Sequence, residues 1–334
     1  MNMHDWKNAI INSPVRTAMP IMTYPGLQLV GRSVLDMVRS GEVQFQCIRA
    51  LSNRYPTIAS ATLIMDLSLE AEAFGSRITY SEHEIPTVGA RLIPSFDEIG
   101  SLEVPMLGKG RTMENLRAAS LAVQHINDRP VFGGIIGPFS LAGRLFDISE
   151  MMMAILVNPE ASHSLLNTCT AFLVNYAMAF KKAGAQGVVI AEPAAGLLAP
   201  AECDEFSSRY VKMIKDELQD ENFIVILHNC GNTQNLVDSM VSTGCMGFHF
   251  GNAVEMTAIL QQVPPDRLVF GNLDPAGIIR NGNPECIRSK TTELLEKTRP
   301  FRNFILSSGC DIPPGTPLEN IDALFDALTA FNKR

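Results

Sequence analysis

The chain has 334 residues, 46% of them apolar, and a formal net charge of −8 at neutral pH. That is ample material for a large core, and the acidic balance argues against a nucleic-acid partner, since a phosphate backbone requires clustered Lys and Arg. No apolar run is long enough to span a bilayer, and the start Met1-Asn2-Met3-His4-Asp5-Trp6 lacks the basic and apolar regions of a secretory signal, so a cytoplasmic protein with no membrane partner is expected.

In chain order, residues 1–57 read as helical, with helices over 5–10, 28–38 and 42–55. Ser33-x-x-Asp36 is a capping-box variant. Between the first two helices lies an extended segment, 14–26, broken by Pro and Gly. The first strand spans 62–66 and ends on Asp66, and a short helix stopped by Gly75 follows. Residues 76–110 are mixed, with an eighth strand sought within 77–93. A helix over 112–127 takes Thr112 as its cap. From there an alternation sets in. Strands over 131–136, 187–191, 223–227, 246–250, 267–270 and 301–306 are each followed by a polar or Gly/Pro turn. Helices over 140–146, onward to 183, and over 201–218, 234–243, 254–262, 284–297 and 317–332 intervene.

Strands alternating with helices at this spacing specify βα units and a parallel sheet. With no Gly-rich dinucleotide loop after the first strand and no P-loop lysine, an α/β fold of the (β/α)8 TIM-barrel kind is expected rather than an open doubly wound sheet. The N-terminal helical extension, residues 1–57, would pack on a barrel formed by residues 58–334, the two making one structural domain.

The chemistry-bearing residues then fall into one class of position. Asp66, Glu192, His228, Cys230, Asn252, Asn272, Asp274 and Cys310 all lie at or just past strand C-termini, which in a barrel is the catalytic face. His228 and Cys230 are two residues apart, so extended backbone directs both to one side. With Cys310, which ends another strand, they form one nitrogen and two sulfur ligands, the donor set of a catalytic zinc site with a position open. The competing reading is a satisfied core histidine and buried apolar cysteines, as is expected for most of the seven cysteines in the chain. Asp66 is either a catalytic acid or a helix N-cap. Glu192 is a fourth zinc ligand, a proton acceptor or a partner for a neighbouring loop. Asp274 reads as a helix cap, and Met151-Met152-Met153 as helix packing. His249 faces either the barrel interior or the helices, while His83 and His125 read as surface or packing residues. Arg16 and Arg144 are isolated candidates for anion contact.

Three segments carry a family resemblance. They are His228-Asn229-Cys230-Gly231-Asn232-Thr233, Gly271-Asn272-Leu273-Asp274-Pro275, and Ser308-Gly309-Cys310-Asp311-Ile312-Pro313-Pro314-Gly315-Thr316-Pro317-Leu318-Glu319-Asn320. Glu70 to Gly75 and Gly137 to Gly143 add to them. Together they resemble the uroporphyrinogen decarboxylase superfamily over roughly residues 55–334, most of all its methylcobamide:coenzyme M methyltransferases. The resemblance implies zinc held by His228, Cys230 and Cys310, and a small thiol substrate such as coenzyme M. The thiol would be activated on the zinc to attack the methyl group of a methylcorrinoid on a partner corrinoid protein. Asp66 and Glu192 are then the candidate catalytic residues, and Asn232, Asn252 and Asn272 the candidate cofactor-binding ones. The alternatives are a decarboxylase acting on a porphyrinogen, or a corrinoid- or tetrapyrrole-binding protein with a structural zinc. Two departures stand out. Where decarboxylases carry an Arg-Gln-Ala-Gly-Arg segment for substrate carboxylates, this chain reads Ile21-Met22-Thr23-Tyr24-Pro25-Gly26, without arginine. Phe248-His249-Phe250-Gly251-Asn252 replaces an expected acidic strand end.

Overall fold

Six strands built mostly of Val, Ile, Leu, Phe and Gly, each buried along its length but for one half-buried asparagine, organise the molecule. Burial on both faces is why they read as continuous apolar runs rather than as half-polar strands. The structure is a computed structural model that describes all 334 residues. Its strands are β1 (Ala61–Thr62), β2 (Ile78–Thr79), β3 (Thr87–Val88), β4 (Val131–Ile136), β5 (Gly187–Ala191), β6 (Ile224–Asn229), β7 (Gly247–Phe250), β8 (Leu268–Leu273) and β9 (Phe304–Ser308). Seven of them form one parallel sheet in the order β1-β4-β5-β6-β7-β8-β9, with helical connections wrapped outside. This is the expected TIM-like α/β architecture.

The eighth stave is not where the sequence placed it. Residues 77–93 hold the antiparallel pair β2 and β3, outside the main sheet. The gap between the two edge strands is instead bridged by the N-terminal extended segment. Ala18 pairs in parallel with Leu306 of β9 on one side and with Ile58, ahead of β1, on the other. The Met19 amide donates to Leu306, the Leu306 amide to Thr17, and the Ala59 amide to Ala18. The Pro residues that broke the segment's pattern lie on either side of this bridge.

The interior is a separate apolar cluster. It includes Met19, Phe132, Val189, Ile224, Ile226, Leu268, Phe270 and Ile305. Helix Met3–Asn12 closes the end where the strands begin. Its Met3 amide donates to Glu221, its Lys7 ammonium to Asp266, and Trp6 meets Phe132 edge-on at 5.7 Å. The opposite end, where the strands finish, is left for the polar residues.

Local expectations resolve individually. Ser33 and Asp36 form a reciprocal capping box. Asp274 caps as expected, accepting from the amides of Ala276 and Gly277 at 3.0 and 2.8 Å. Thr112 does not cap its helix: it lies inside the first turn and donates to the Lys109 carbonyl, and Arg111 takes the N-cap position. Arg16 spends its guanidinium on the carbonyls of Arg299 and Phe301, both at 2.7 Å. It therefore ties the N-terminal segment to the turn before β9.

Candidate metal centre

Ile224 and Ile226 of β6 point into the barrel, and the strand continues to Asn229, so the period of two brings His228 to the same interior face. Cys230 follows one residue past the strand end. Cys310 comes from beyond β9, which lies three strands away in the sheet order. One donor atom from each of His228, Cys230 and Cys310 lies within 4.8 Å of the other two. Cys310 Sγ stands 3.6 Å from His228 Nε2. Nitrogen and sulfur ligands around one tetrahedral zinc stand roughly 3.5–3.8 Å apart, given bond lengths of about 2.0–2.3 Å. The donor set therefore fits zinc. No carboxylate joins the group.

Two glycines allow the approach. A Cβ on Gly251 would lie 2.6 Å from Cys230 Cα, and one on Gly309 would lie 2.6 Å from the Asn252 amide nitrogen. Any side chain there would push the ligand-bearing turns apart.

The two thiols titrate as a pair. Hydrogen bonding from Cys310, aided by His228, pushes Cys230 down. The same contact keeps the proton on Cys310 and pushes that thiol up. A metal ion bound by both sulfurs would displace the proton they share.

Behind His228 lies a residue whose role the sequence left open. His249 of β7, in register with His228, is fully buried and faces the interior. Its Nδ1 lies 2.7 Å from His228 Nδ1, and its Nε2 lies 2.8 Å from Ser307 Oγ. Burial holds its pKa well below the usual imidazole range. Ser307 was not anticipated: β9 is buried along its whole length, so its sequence does not mark which side faces the interior.

The other candidates sit around the centre rather than in it. The Asp66 carboxylate is buried and paired with Arg111, and it accepts from the Ser68 hydroxyl at 2.6 Å. Arg111 also holds Glu72 at 2.7 Å. Glu192 accepts from the amides of Phe139 and Ser140, at 2.7 and 2.9 Å, which begin the helix Pro138–Phe146. Burial keeps its pKa raised despite those bonds. Its backbone carbonyl takes the Asn229 amide at 2.7 Å, linking it to the β6 turn. Asn232 is exposed on the turn after Cys230. Asn272 bonds the carbonyls of Gly251 and Val254, and together with the exposed Asn252 it borders a cavity distinct from the one above His228, Cys230 and Cys310. Asp311 lines the latter cavity, yet neither of its carboxylate oxygens has a hydrogen-bond partner, and burial pushes its pKa well up.

A cavity of ≈ 310 Å³ opens above His228, Cys230 and Cys310. Its walls are largely apolar, with Ile21, Met65, Leu67, Ile85 and Val88 among them, and Arg144 is its one cationic side chain. A second cavity of ≈ 480 Å³ shares Leu67, Val88, Arg144 and Pro193 with it, so the two form a continuous cleft.

A sequence profile described as "Uroporphyrinogen decarboxylase (URO-D)" matches residues 11–331. The chain belongs to the uroporphyrinogen decarboxylase family. Within this family, the methylcobamide:CoM methyltransferase MtbA of Methanosarcina acetivorans is 29% identical over 265 residues, covering 78% of this chain and 76% of the relative. A uroporphyrinogen decarboxylase of Coxiella burnetii is 25% identical over 294 residues, covering 84% and 79%. The solved structure of a methyltransferase from Methanosarcina mazei superposes with a TM-score of 0.87 over 99% of both chains at 22% identity, a likeness of fold. No helix of the chain is long and apolar enough to cross a membrane.

Proposed function

We propose that this protein moves a methyl group from a methylcorrinoid, carried by a partner corrinoid protein, to a small thiol bound at a zinc ion held by His228, Cys230 and Cys310. The observation that carries this reading is the three-donor group itself. It sits on the cavity floor with no carboxylate among its members, so the fourth position is left to a ligand from the cavity.

Zinc in such a site lowers the pKa of a bound thiol and keeps it as a nucleophilic thiolate at neutral pH. The chain's own residues do the rest. Two cysteine thiolates and a neutral imidazole offset the dication's charge. The apolar walls strip water from the incoming sulfur, and the adjoining ≈ 480 Å³ cavity is the side from which the methyl donor would approach. In the transfer, a sulfur–carbon bond forms as the carbon–cobalt bond breaks. The electron pair of that bond stays on cobalt, which goes from Co(III) to Co(I), and the thiol proton leaves to solvent. Asp66 with Arg111, and Glu192 with the helix it caps, hold the cavity walls in place. A substrate with several carboxylates would find only Arg144 as a cation in this cavity, which weighs against porphyrinogen decarboxylation.

The test is demethylation of methylcobalamin across a panel of small thiols, followed by cobalamin absorbance. Zinc-dependent, thiol-dependent turnover is expected. Absence of turnover with every thiol, or decarboxylation of uroporphyrinogen in its place, overturns the reading.

A further inference from the structure

The hydrogen bonds behind His228 form a chain whose direction is set by its ends. At one end, the Ser307 hydroxyl lies 2.8 Å from the Met19 carbonyl, which can only accept. Ser307 spends its one proton there, so toward His249 Nε2, 2.8 Å away, its oxygen must accept. His249 therefore carries its proton on Nε2 and presents a lone pair at Nδ1. That lone pair faces His228 Nδ1 at 2.7 Å. His228 Nδ1 also lies 3.3 Å from the His249 carbonyl, a second group that only accepts. Both contacts require the proton on His228 Nδ1, which leaves the lone pair on Nε2. Nε2 is the atom 3.6 Å from Cys310 Sγ.

We infer that His249 and Ser307 are positioning residues that lock His228 in the Nδ1-protonated tautomer before any metal arrives, with the Met19 carbonyl as the anchor of the chain. Reversing the chain would put a proton on Nε2 and strip both carbonyls of their donors, so the reversed arrangement is disfavoured on hydrogen-bond grounds alone. The anchor belongs to the N-terminal segment that bridges β9 and the lead into β1. The same segment thus closes the barrel and supplies the acceptor that sets the direction of the chain. The partner of His228 is also a neutral imidazole, where many metal-bound histidines lean on a carboxylate. This keeps negative charge away from the metal and favours an anionic fourth ligand.

This inference rests on the reading of His228, Cys230 and Cys310 as a metal site, and the experiment separates the two. Zinc affinity is measured by chelator competition for the full-length protein and for His249→Phe, His249→Gln and Ser307→Ala. Long-range proton–nitrogen NMR on the metal-free wild type reads the His228 tautomer directly. The expected result is a wild type with His228 protonated at Nδ1, and affinity about 10–100-fold lower in His249→Phe. Ser307→Ala, which removes only a hydroxyl, should show a smaller loss in the same direction. His249→Gln, whose amide can accept from His228 and donate to Ser307, should recover most of the affinity. If His249→Phe fails to fold, Ser307→Ala and the NMR assignment decide. Wild-type protein that binds no zinc removes the metal-site reading itself. Wild-type protein that binds zinc, with His228 protonated at Nε2 or with variants of unchanged affinity, overturns the inference alone.

Discussion

His228 Nε2 and Cys310 Sγ stand 3.6 Å apart, although 82 residues separate them in the chain. Neither strand end makes a site by itself. Two candidate ligands from the end of β6 and one from beyond β9 meet only because the parallel sheet curls.

The first prediction concerns that meeting. Cys310→Ala leaves one imidazole and one thiolate, too few to hold zinc firmly. Metal analysis of freshly purified protein should give about one zinc per chain for the wild type and a small fraction of that for the variant. Zinc retention by the variant would show that Cys310 is not a ligand.

Arg111 and Asp66 are a buried ion pair, with 8% and 0% of their side chains exposed. Arg111→Met removes the cation and strands the carboxylate, a change that costs about 3–5 kcal/mol in such pairs. Adding Asp66→Asn should restore part of the loss, because the fully buried carboxylate is then neutral and only the partly exposed Glu72 is left without its cation. Urea denaturation of the two variants checks both the size of the effect and the recovery.

Glu70 is 1% exposed, and one of its oxygens has no partner, while the other accepts from the Ile136 amide at 3.0 Å. Burial pushes its pKa from 4.5 up to about 8. The folded chain thus keeps a proton that the unfolded chain releases between those two values. Stability should fall as pH rises through that window, by at most about 1.4 kcal/mol per pH unit from this one group. Glu70→Gln, which keeps the acceptor for Ile136, should flatten the decline. Unfolding curves of the two proteins across the window would refute this if their slopes coincide.

Arg144 is exposed at the junction of the two cavities and is the one cation in the cavity above the metal ligands. A hydrogen bond to a charged group is worth about 1.5–3 kcal/mol. Arg144→Gln should therefore raise KM for 2-mercaptoethanesulfonate by roughly tenfold or more, with little change for 2-mercaptoethanol, and Arg144→Lys should recover part of the loss. Equal effects on both thiols would place Arg144 outside thiol recognition.

His228, Cys230 and Cys310 were legible as candidate ligands because each lies just where an apolar strand runs out, a position that the length of the apolar run locates without any tertiary information. The capping roles of Ser33 and Asp274 were legible for the same reason, since an N-cap interacts only with its own first turn. His249 was not assignable. Its strand is buried on both faces, so alternation carries no sign of which side is the interior. The cation paired with Asp66, Arg111, lies 45 residues away and the Phe139 amide that Glu192 accepts from lies 53 residues away, both beyond the reach of local patterning.

By itself, the sequence determined the alternation of strands and helices, the TIM-like class that follows from it, and three ligand types at strand ends. These depend on hydrophobic period and local backbone geometry, which are encoded within a few residues. Only the tertiary structure decided which segment closes the wall. Residues 77–93 and residues 14–26 are equally extended on paper, and only long-range pairing of Ala18 with Leu306 and Ile58 selects the second. The same pairing brings the Met19 carbonyl to Ser307, behind His249 and His228, because a hydrogen-bond chain across three strands and the bridging segment exists only once all of them are in register.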